Sequence, residues 1–296
     1  MSAVPSETQP AIATADPSPT PDAAAAETVI SASRNRFAVG LSEMWRYRDL
    51  FLLMAWRDFA ARYRQSVVGI GWAVVKPVVS MLIFTFIFGR VAGIRSDGSP
   101  YPLFAFTALL PWMYFSTTLN GATQSVVGNG SLIKKVYFPR LFLPMTGVVT
   151  ALAEIVIQLV LLAVLLLWFR YLPPAQIVLV PVFVLFAALS SLSVSLWLTS
   201  LNVKYRDVGQ AVPFLTQAWM WLSPIVYTSE SVPEHLRPIY GLNPMVGVIE
   251  GFRWCVLGTT TPDWRMMAVS ISATVALLIG GLWFFRRTEA TFADVV

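Results

Sequence analysis

One cysteine, Cys255, and one histidine, His235, are all that 296 residues offer of thiol and imidazole metal ligands. A lone thiol closes no intrachain disulfide, and one thiol with one imidazole makes no zinc or iron–sulfur ligand set, so redox and metal chemistry are not expected. Charge is equally scarce. Only 12% of residues are charged against 56% hydrophobic, where soluble domains carry roughly one quarter charged. No charged side chain occurs in 98–133, 171–203, 208–229 or 266–285, and Glu154 alone interrupts 141–169. The chain also lacks a G-x-x-x-x-G-K-[ST] loop to cradle phosphates, paired carboxylates suited to acid–base work, and a Ser/His/Asp set, so neither nucleotide hydrolysis nor covalent catalysis is expected of it. Its first residues have no basic segment followed by an apolar one, so no signal peptide is expected.

What the chain does have is long apolar stretches. A helix rises about 1.5 Å per residue, so roughly 20 apolar residues cross a hydrocarbon core about 30 Å thick. Backbone in lipid must bond to itself, as helix or closed barrel. Barrel strands alternate apolar and polar over about 10 residues, whereas these runs are apolar all round and longer. The fold class expected is therefore an all-α polytopic membrane protein: six transmembrane helices, an N-terminal amphipathic interfacial helix, and short external re-entrant helices. The spans are expected at 70–89, 103–123, 141–169, 177–201, 209–226 and 265–285. An even number puts both termini on one side, and making that side cytoplasmic places most of the 21 Lys and Arg inside. The pI near 9.5 then reflects a membrane-facing charge bias, not nucleic-acid binding.

Four stretches follow from this pattern. Residues 1–33 are rich in Ala, Pro, Ser and Thr, with acidic residues but no Lys or Arg, and are expected to be a disordered cytoplasmic tail. Segment 34–68 is expected to be cytoplasmic and interfacial, because Leu52, Trp56, Phe59 and Tyr63 recur at helical spacing while Arg57, Asp58, Arg62 and Arg64 fill the other arc. The same pattern also suits a helix packed on a protein partner. The six-span domain occupies 69–287, and 288–296 form a cytoplasmic C-terminal tail. Between the last two spans, 227–263 is too rich in charge and proline for another crossing, yet 245–257 is apolar. This suits either a pair of short helices dipping into the outer leaflet or an external loop with one surface helix.

Particular motifs go further. R-D-F-A-A-R-Y-R-Q-S-V-V-G-I-G-W-A-V-V-K-P (57–77), L-I-K-K-V-Y-F-P-R (132–140), N-V-K-Y-R-D-V (202–208), L-S-P-I-V-Y (222–227) and L-N-P (242–244) occur in order among the expected spans. Together they resemble the permease subunit of type-2 ABC exporters, and most closely the branch that exports polysaccharides such as O-antigen, capsule and teichoic acid. The resemblance covers about 45–287. It implies a homodimeric permease in the bacterial inner membrane that moves a lipid-linked polysaccharide outward. It also implies a separate ATP-binding subunit, to which ATP and Mg belong, with no cofactor in this chain.

Residue roles follow from the resemblance. The ATPase-docking residues are Lys134, Lys135, Tyr137, Phe138, Arg140, Tyr205, Arg206 and Asp207, with Tyr137 and Phe138 as apolar knobs and Pro139 stopping the helix. Read only as topology signals, these loops account for their Lys and Arg but not for Tyr137, Phe138, Pro139 or Asp207. Arg57, Arg62, Arg64 and Lys76 are candidates for the anionic head group of a polyprenyl diphosphate, or for ordinary anionic membrane lipids. Phe84, Phe88, Gln217, Trp221 and Tyr227 are candidates for the translocation path, since sugars stack on aromatic faces, although aromatics in spans also simply pack. Glu154 and Gln158, one helical turn apart, suit structural hydrogen bonding better than a proton relay. An exporter of small drugs or lipids shares this plan. A membrane enzyme acting on polyprenyl-linked sugars needs interfacial acids, and here Asp49, Asp58 and Asp207 are scattered beside Arg.

Overall fold

The computed structural model describes residues 41–63, 69–94, 96, 98–258 and 261–292, with side chains from residue 44 onward except that of Tyr63. The tail 1–33 and Arg64 lie outside the described residues, among which every regular element is helical.

Two helices, α1 (Leu41–Arg46) and α2 (Arg48–Tyr63), precede the membrane-type segments. A 3₁₀ turn at Gly69–Gly71 leads into α3 (Trp72–Phe84), which a π-helical stretch, Thr85–Val91, continues without a break. Then come α4 (Tyr101–Gly128), the short α5 (Gly130–Lys135) and α6 (Phe142–Trp168). A 3₁₀ turn at Ala175–Leu179 opens α7 (Val180–Lys204), and α8 (Asp207–Trp221) follows closely. After two 3₁₀ turns come α9 (Arg237–Gly241), α10 (Pro244–Leu257) and α11 (Trp264–Glu289).

Among the described residues, four helical segments are long and apolar enough to cross a membrane: Gly69–Val91, Phe142–Trp168, Ala175–Lys204 and Trp264–Glu289. They coincide with expected spans one, three, four and six. The second expected span falls on α4, which is longer than 103–123 and is sheathed by α3, α6, α7, α8 and α10. The fifth departs from expectation, because α8 ends at Trp221 rather than 226. The cause is Pro224: it has no N–H to donate and biases Ser223 away from helical geometry, so 222–228 runs as irregular chain.

Lipid tails are as apolar as leucine, so helices here associate by close packing and hydrogen bonds rather than by water exclusion. Small residues therefore matter. A Cβ on Gly147 of α6 would lie 3.0 Å from the backbone nitrogen of Ala122 on α4, so these helices meet backbone to backbone. Along α7 the buried Ser191 and Ser200 satisfy their hydroxyls on carbonyls one turn back. Thr199 instead donates across to the carbonyl of Ala122 at 2.9 Å. Bonds of this interhelical kind contribute about 0.6 kcal/mol each on average.

The charged and proline-rich stretch after α8 does form a helix pair, α9 and α10. α10 is no surface helix. Asn243 caps it by accepting from the Met245 N–H, Pro244 occupies the first turn, and Gly258 closes it at φ +63°, a left-handed position that suits glycine. Between those caps nearly every side chain is buried against α4, α7 and α11.

Candidate functional site

At one end of the bundle, here the basic end, α2, α5 and the 202–208 loop come together. Lys134 and Lys135 close α5, Val136 turns extended, and Tyr137 stands 63% exposed. Phe138, expected beside Tyr137 as a second surface knob, is only 4% exposed. It packs with Met54, Ile133, Phe142, Val203 and Phe292 and so anchors the loop from below. A shallow hollow of about 230 Å³ is lined by 133–138 and Arg140. Arg140, expected on a charged rim, donates to the backbone carbonyl of Glu289 and ties the loop to the end of α11.

The second loop presents Tyr205, 53% exposed, with the Lys204 ammonium 5.2 Å above its ring and Arg206 and Asp207 exposed beside it. Val203 shares the cluster of Phe138, so the two loops rest on one apolar base. Asn202, not singled out in the sequence, fixes the second loop. Its Nδ2 donates to the Thr123 carbonyl at 2.9 Å, and its Oδ1 accepts from the Gly209 N–H at 2.8 Å, joining α4, α7 and α8.

The helix expected to be amphipathic has an inward and an exposed face. Phe51, Met54 and Ala55 turn inward, packing α2 against α6; Leu52, Leu53 and Trp56 stay exposed; and the arginines share no arc, Arg62 following the inward face toward α6 and Arg57 lying beside Met54. Those arginines divide. Arg57 lies apart from the others: its Nη2 donates to Asn129 Oδ1 at 2.6 Å, at the junction of α4 and α5, and to Asp58 Oδ1 at 2.8 Å. Arg62 passes Gly121 of α4 and pairs with Glu154 of α6, Nη1 to Oε1 2.5 Å.

Arg62, Lys76, Glu154 and Gln158 line one cavity of about 250 Å³ walled by Trp72, Pro77, Met113 and Thr117. Of the four expected head-group cations, then, the structure gathers Arg62 and Lys76, sends Arg57 elsewhere, and leaves Arg64 outside the described residues. Glu154 and Gln158 share the cavity, and Glu154 bonds to a neighbouring helix through Arg62 of α2. Gln158 is 4% exposed, and its Oε1 has no hydrogen-bond partner among the described residues.

The five expected path residues fall in one neighbourhood. The Trp221 ring stacks on Phe84 at 6.2 Å and 9°, and Phe88 meets both rings, linking α3 to α8. Gln217 is exposed one turn before Trp221. Tyr227 donates to the Trp221 carbonyl at 3.4 Å and accepts from the Tyr240 hydroxyl at 3.1 Å. α8 is held by a narrow buried stripe, Gly209, Val212 and Thr216, leaving its remaining faces open.

Holding this arrangement is Arg253, which sequence reasoning passed over although it is the one cation in an apolar stretch. It is 2% exposed, lies 3.8 Å over the Phe104 ring, and donates to the carbonyls of Pro224 at 3.0 Å and Ile225 at 3.3 Å. Asn243 adds bonds to the Leu222 carbonyl and the Ser223 hydroxyl. Beside them Glu250 accepts from the Ser229 N–H at 3.1 Å. Burial pushes its carboxyl above the ordinary range, against the lowering effect of the Ser229 bonds and of Arg253.

The sequence pattern of ABC-2 type transporters matches residues 49–257. The chain is 30% identical over 256 residues to the O-antigen export system permease protein RfbA of Myxococcus xanthus, covering 86% of this chain and 98% of that one. It is 25% identical over 249 residues to the protein of the same name in Klebsiella pneumoniae, with 84% and 95% covered. To the polysialic acid transport protein KpsM of Escherichia coli it is 25% identical over 244 residues, with 79% and 92% covered.

Proposed function

Because the chain belongs to the ABC-2 type transporter family, we propose that it is the membrane-spanning permease subunit of an ATP-driven exporter that moves a lipid-linked polysaccharide outward across a bacterial inner membrane. The observation that carries this reading is the end-to-end likeness to a relative named as an O-antigen export permease, which leaves little of that relative unmatched. Relatives named for O-antigen and polysialic acid favour a glycan cargo over a small drug or lipid.

In this reading two copies pair, each with six spans and both termini in the cytoplasm. α4 is the second span. α8, prolonged by the buried 223–226, is the fifth, and α9 with α10 dips into the outer leaflet. The basic end faces a separate ATP-binding subunit, which engages Tyr137, Lys134, Lys135, Tyr205, Arg206 and Asp207. Phe138 and Arg140 hold the first docking loop in shape. The cavity of Arg62 and Lys76 receives the anionic phosphate head of the carrier, since an Arg fork and an ammonium suit phosphate oxygens. Sugars then pass along Phe84, Phe88, Gln217, Trp221 and Tyr227, where aromatic faces and polar tips alternate.

The test is reconstitution. This chain, purified together with an ATP-binding subunit of the same exporter, is placed in proteoliposomes loaded with lipid-linked glycan, and lectin binding at the far leaflet is followed. Lectin-accessible glycan that rises only with ATP and both subunits is expected. Hydrolysis of nucleotide or sugar transfer by this chain alone would overturn the reading.

A further inference from the structure

The cavity assigned to an anion already contains one. Glu154 Oε1 lies 2.5 Å from Arg62 Nη1; the Glu154 side chain is 15% exposed, and that of Arg62 is partly covered, at 32%. A carboxylate and a phosphate compete for the same guanidinium fork, because both present paired oxygens to planar N–H donors. Removing a carboxylate from a partly buried cation costs more than at a surface, where screening weakens such pairs. An incoming anion must therefore offer more than Glu154 does.

The rest of the cavity is arranged for such an exchange. Lys76 lines it as a second cation, so an anion that reaches both gains from two positive centres. Gln158, buried and with its Oε1 unpartnered among the described residues, lies one turn from Glu154; rotated about its last bond, its amide presents two N–H donors to the space. As it stands the unpaired acceptor is satisfied only by a ligand O–H or N–H, so contact with a phosphate oxygen requires the rotated amide. The volume of about 250 Å³ fits a compact head group, not a sugar chain.

Resting on the head-group reading above, we propose that Glu154 is a resident counter-anion, displaced from Arg62 by a multiply charged phosphate or diphosphate, which thereby excludes the singly charged phosphodiesters of bulk phospholipid. The exchange breaks no covalent bond. Arg62 passes from carboxylate to phosphate oxygens, Lys76 engages the second phosphate charge, and Gln158 supplies the neutral donor.

The test uses the complete complex in phosphatidylcholine nanodiscs and radiolabelled farnesyl diphosphate as probe, with phosphatidylglycerol and inorganic pyrophosphate as competitors. Wild type is expected to bind the probe and to ignore phosphatidylglycerol. Glu154→Gln is expected to bind at a roughly tenfold lower concentration and to become sensitive to phosphatidylglycerol. Arg62→Gln is expected to lose binding. Competition by inorganic pyrophosphate reports whether the tail contributes: weak competition assigns the ligand to a lipid, equal competition to a soluble diphosphate, and in both the displacement stands. Glu154→Gln with unchanged affinity and unchanged indifference to phosphatidylglycerol overturns the proposal while leaving the head-group site intact. Probe binding that is equal in wild type and Arg62→Gln overturns the head-group site itself. Should Glu154→Gln not assemble, Glu154→Asp withdraws the same charge by one methylene and must bind the probe more tightly; equal binding there counts against the displacement.

Discussion

A guanidinium that is fully buried, as Arg253 is, has lost most of its hydration, and its protein contacts must stand in for water. The Phe104 face and the carbonyls of Pro224 and Ile225 do so, and in return the irregular chain after α8 has its backbone acceptors satisfied where no helix supplies donors. Two substitutions separate charge from shape. Arg253→Met removes the desolvated charge along with the donors, and the two effects partly offset. Arg253→Lys keeps the charge but offers no planar fork to spread over two carbonyls. Lysine is therefore expected to be the worse replacement, by about 1–3 kcal/mol in thermal unfolding of the solubilised protein; methionine proving the worse would show that the charge itself is what the site requires. Glu250 allows a test by pH. Its pKa is raised above 4.5 mainly by burial, so the folded state holds its proton more tightly than the unfolded one does. The stability it contributes is complete below pH 4.5 and is lost as pH rises through the raised value. Glu250→Gln, which stays neutral, should therefore gain thermal stability relative to wild type as pH increases, and a difference that stays flat across this range would remove burial as the cause.

Helices make these residue contacts mechanical. α2 carries Arg57 and Arg62 five positions apart, about 7.5 Å along its axis, the first bonded to Asn129 at the root of α5 and the second to Glu154 in α6. A movement at the cavity is therefore expected to reach the start of the 131–140 loop. Replacing Arg57 by Ala is expected to leave probe binding within about twofold of wild type, a difference of roughly 0.4 kcal/mol, while abolishing stimulation of the partner ATPase by cargo. Full stimulation in that variant would assign the relay to another element. The helices themselves were readable from the chain because charge-free runs of twenty or more residues have few alternatives in lipid, and four of six expected spans meet the length and hydropathy test directly. The end of α8 was less readable, since 222–226 continues the apolar run and only Pro224 marks the break. The burial of α10 was open, because an apolar 245–257 suits a surface helix as well as a core one until α4, α7 and α11 are seen around it. Within the sites, residue types were legible and partners were not. That Arg57 meets a side chain 72 positions away, or that Phe138 turns inward while Tyr137 turns out, depends on tertiary packing that no local pattern encodes.

For the whole molecule the count of crossings decides every assignment of side, and hydropathy by itself gives four among the described residues. α4 falls outside that count for a physical reason: it is surrounded by five neighbouring helices, so Thr, Ser and Asn replace lipid-facing apolar groups and bond to carbonyls of α4 itself, as Thr123 does to Leu119. α8 falls outside it because 15 residues rise only about 22 Å, short of a core of about 30 Å. The uncharged, buried 223–226, held by Arg253 and Asn243, supplies the remainder without regular helix, which is tolerated at depth where protein encloses it. The two counts make opposite predictions at 137, 172 and 205 for variants with one introduced cysteine each, labelled by a membrane-impermeant maleimide, first on intact spheroplasts and then after lysis. Cys255 is buried and should stay unreactive, so the background is low. With six crossings, Tyr137→Cys and Tyr205→Cys react only after lysis, whereas Leu172→Cys, at a position 92% exposed, and His235→Cys react in intact cells. With only the four hydropathy-selected crossings and the same N-terminal side, α6 would run from outside inward, so 137 and 205 would label from outside and 172 only after lysis. Position 137 bears most directly on function: with the N-terminal side fixed, an ATP-binding subunit in the cytoplasm can reach Tyr137 and Tyr205 only if α4 crosses, while α8, which follows both loops, decides the side of 227–263. External labelling at 137 would remove the docking surface and, with it, any route by which nucleotide turnover could move this chain.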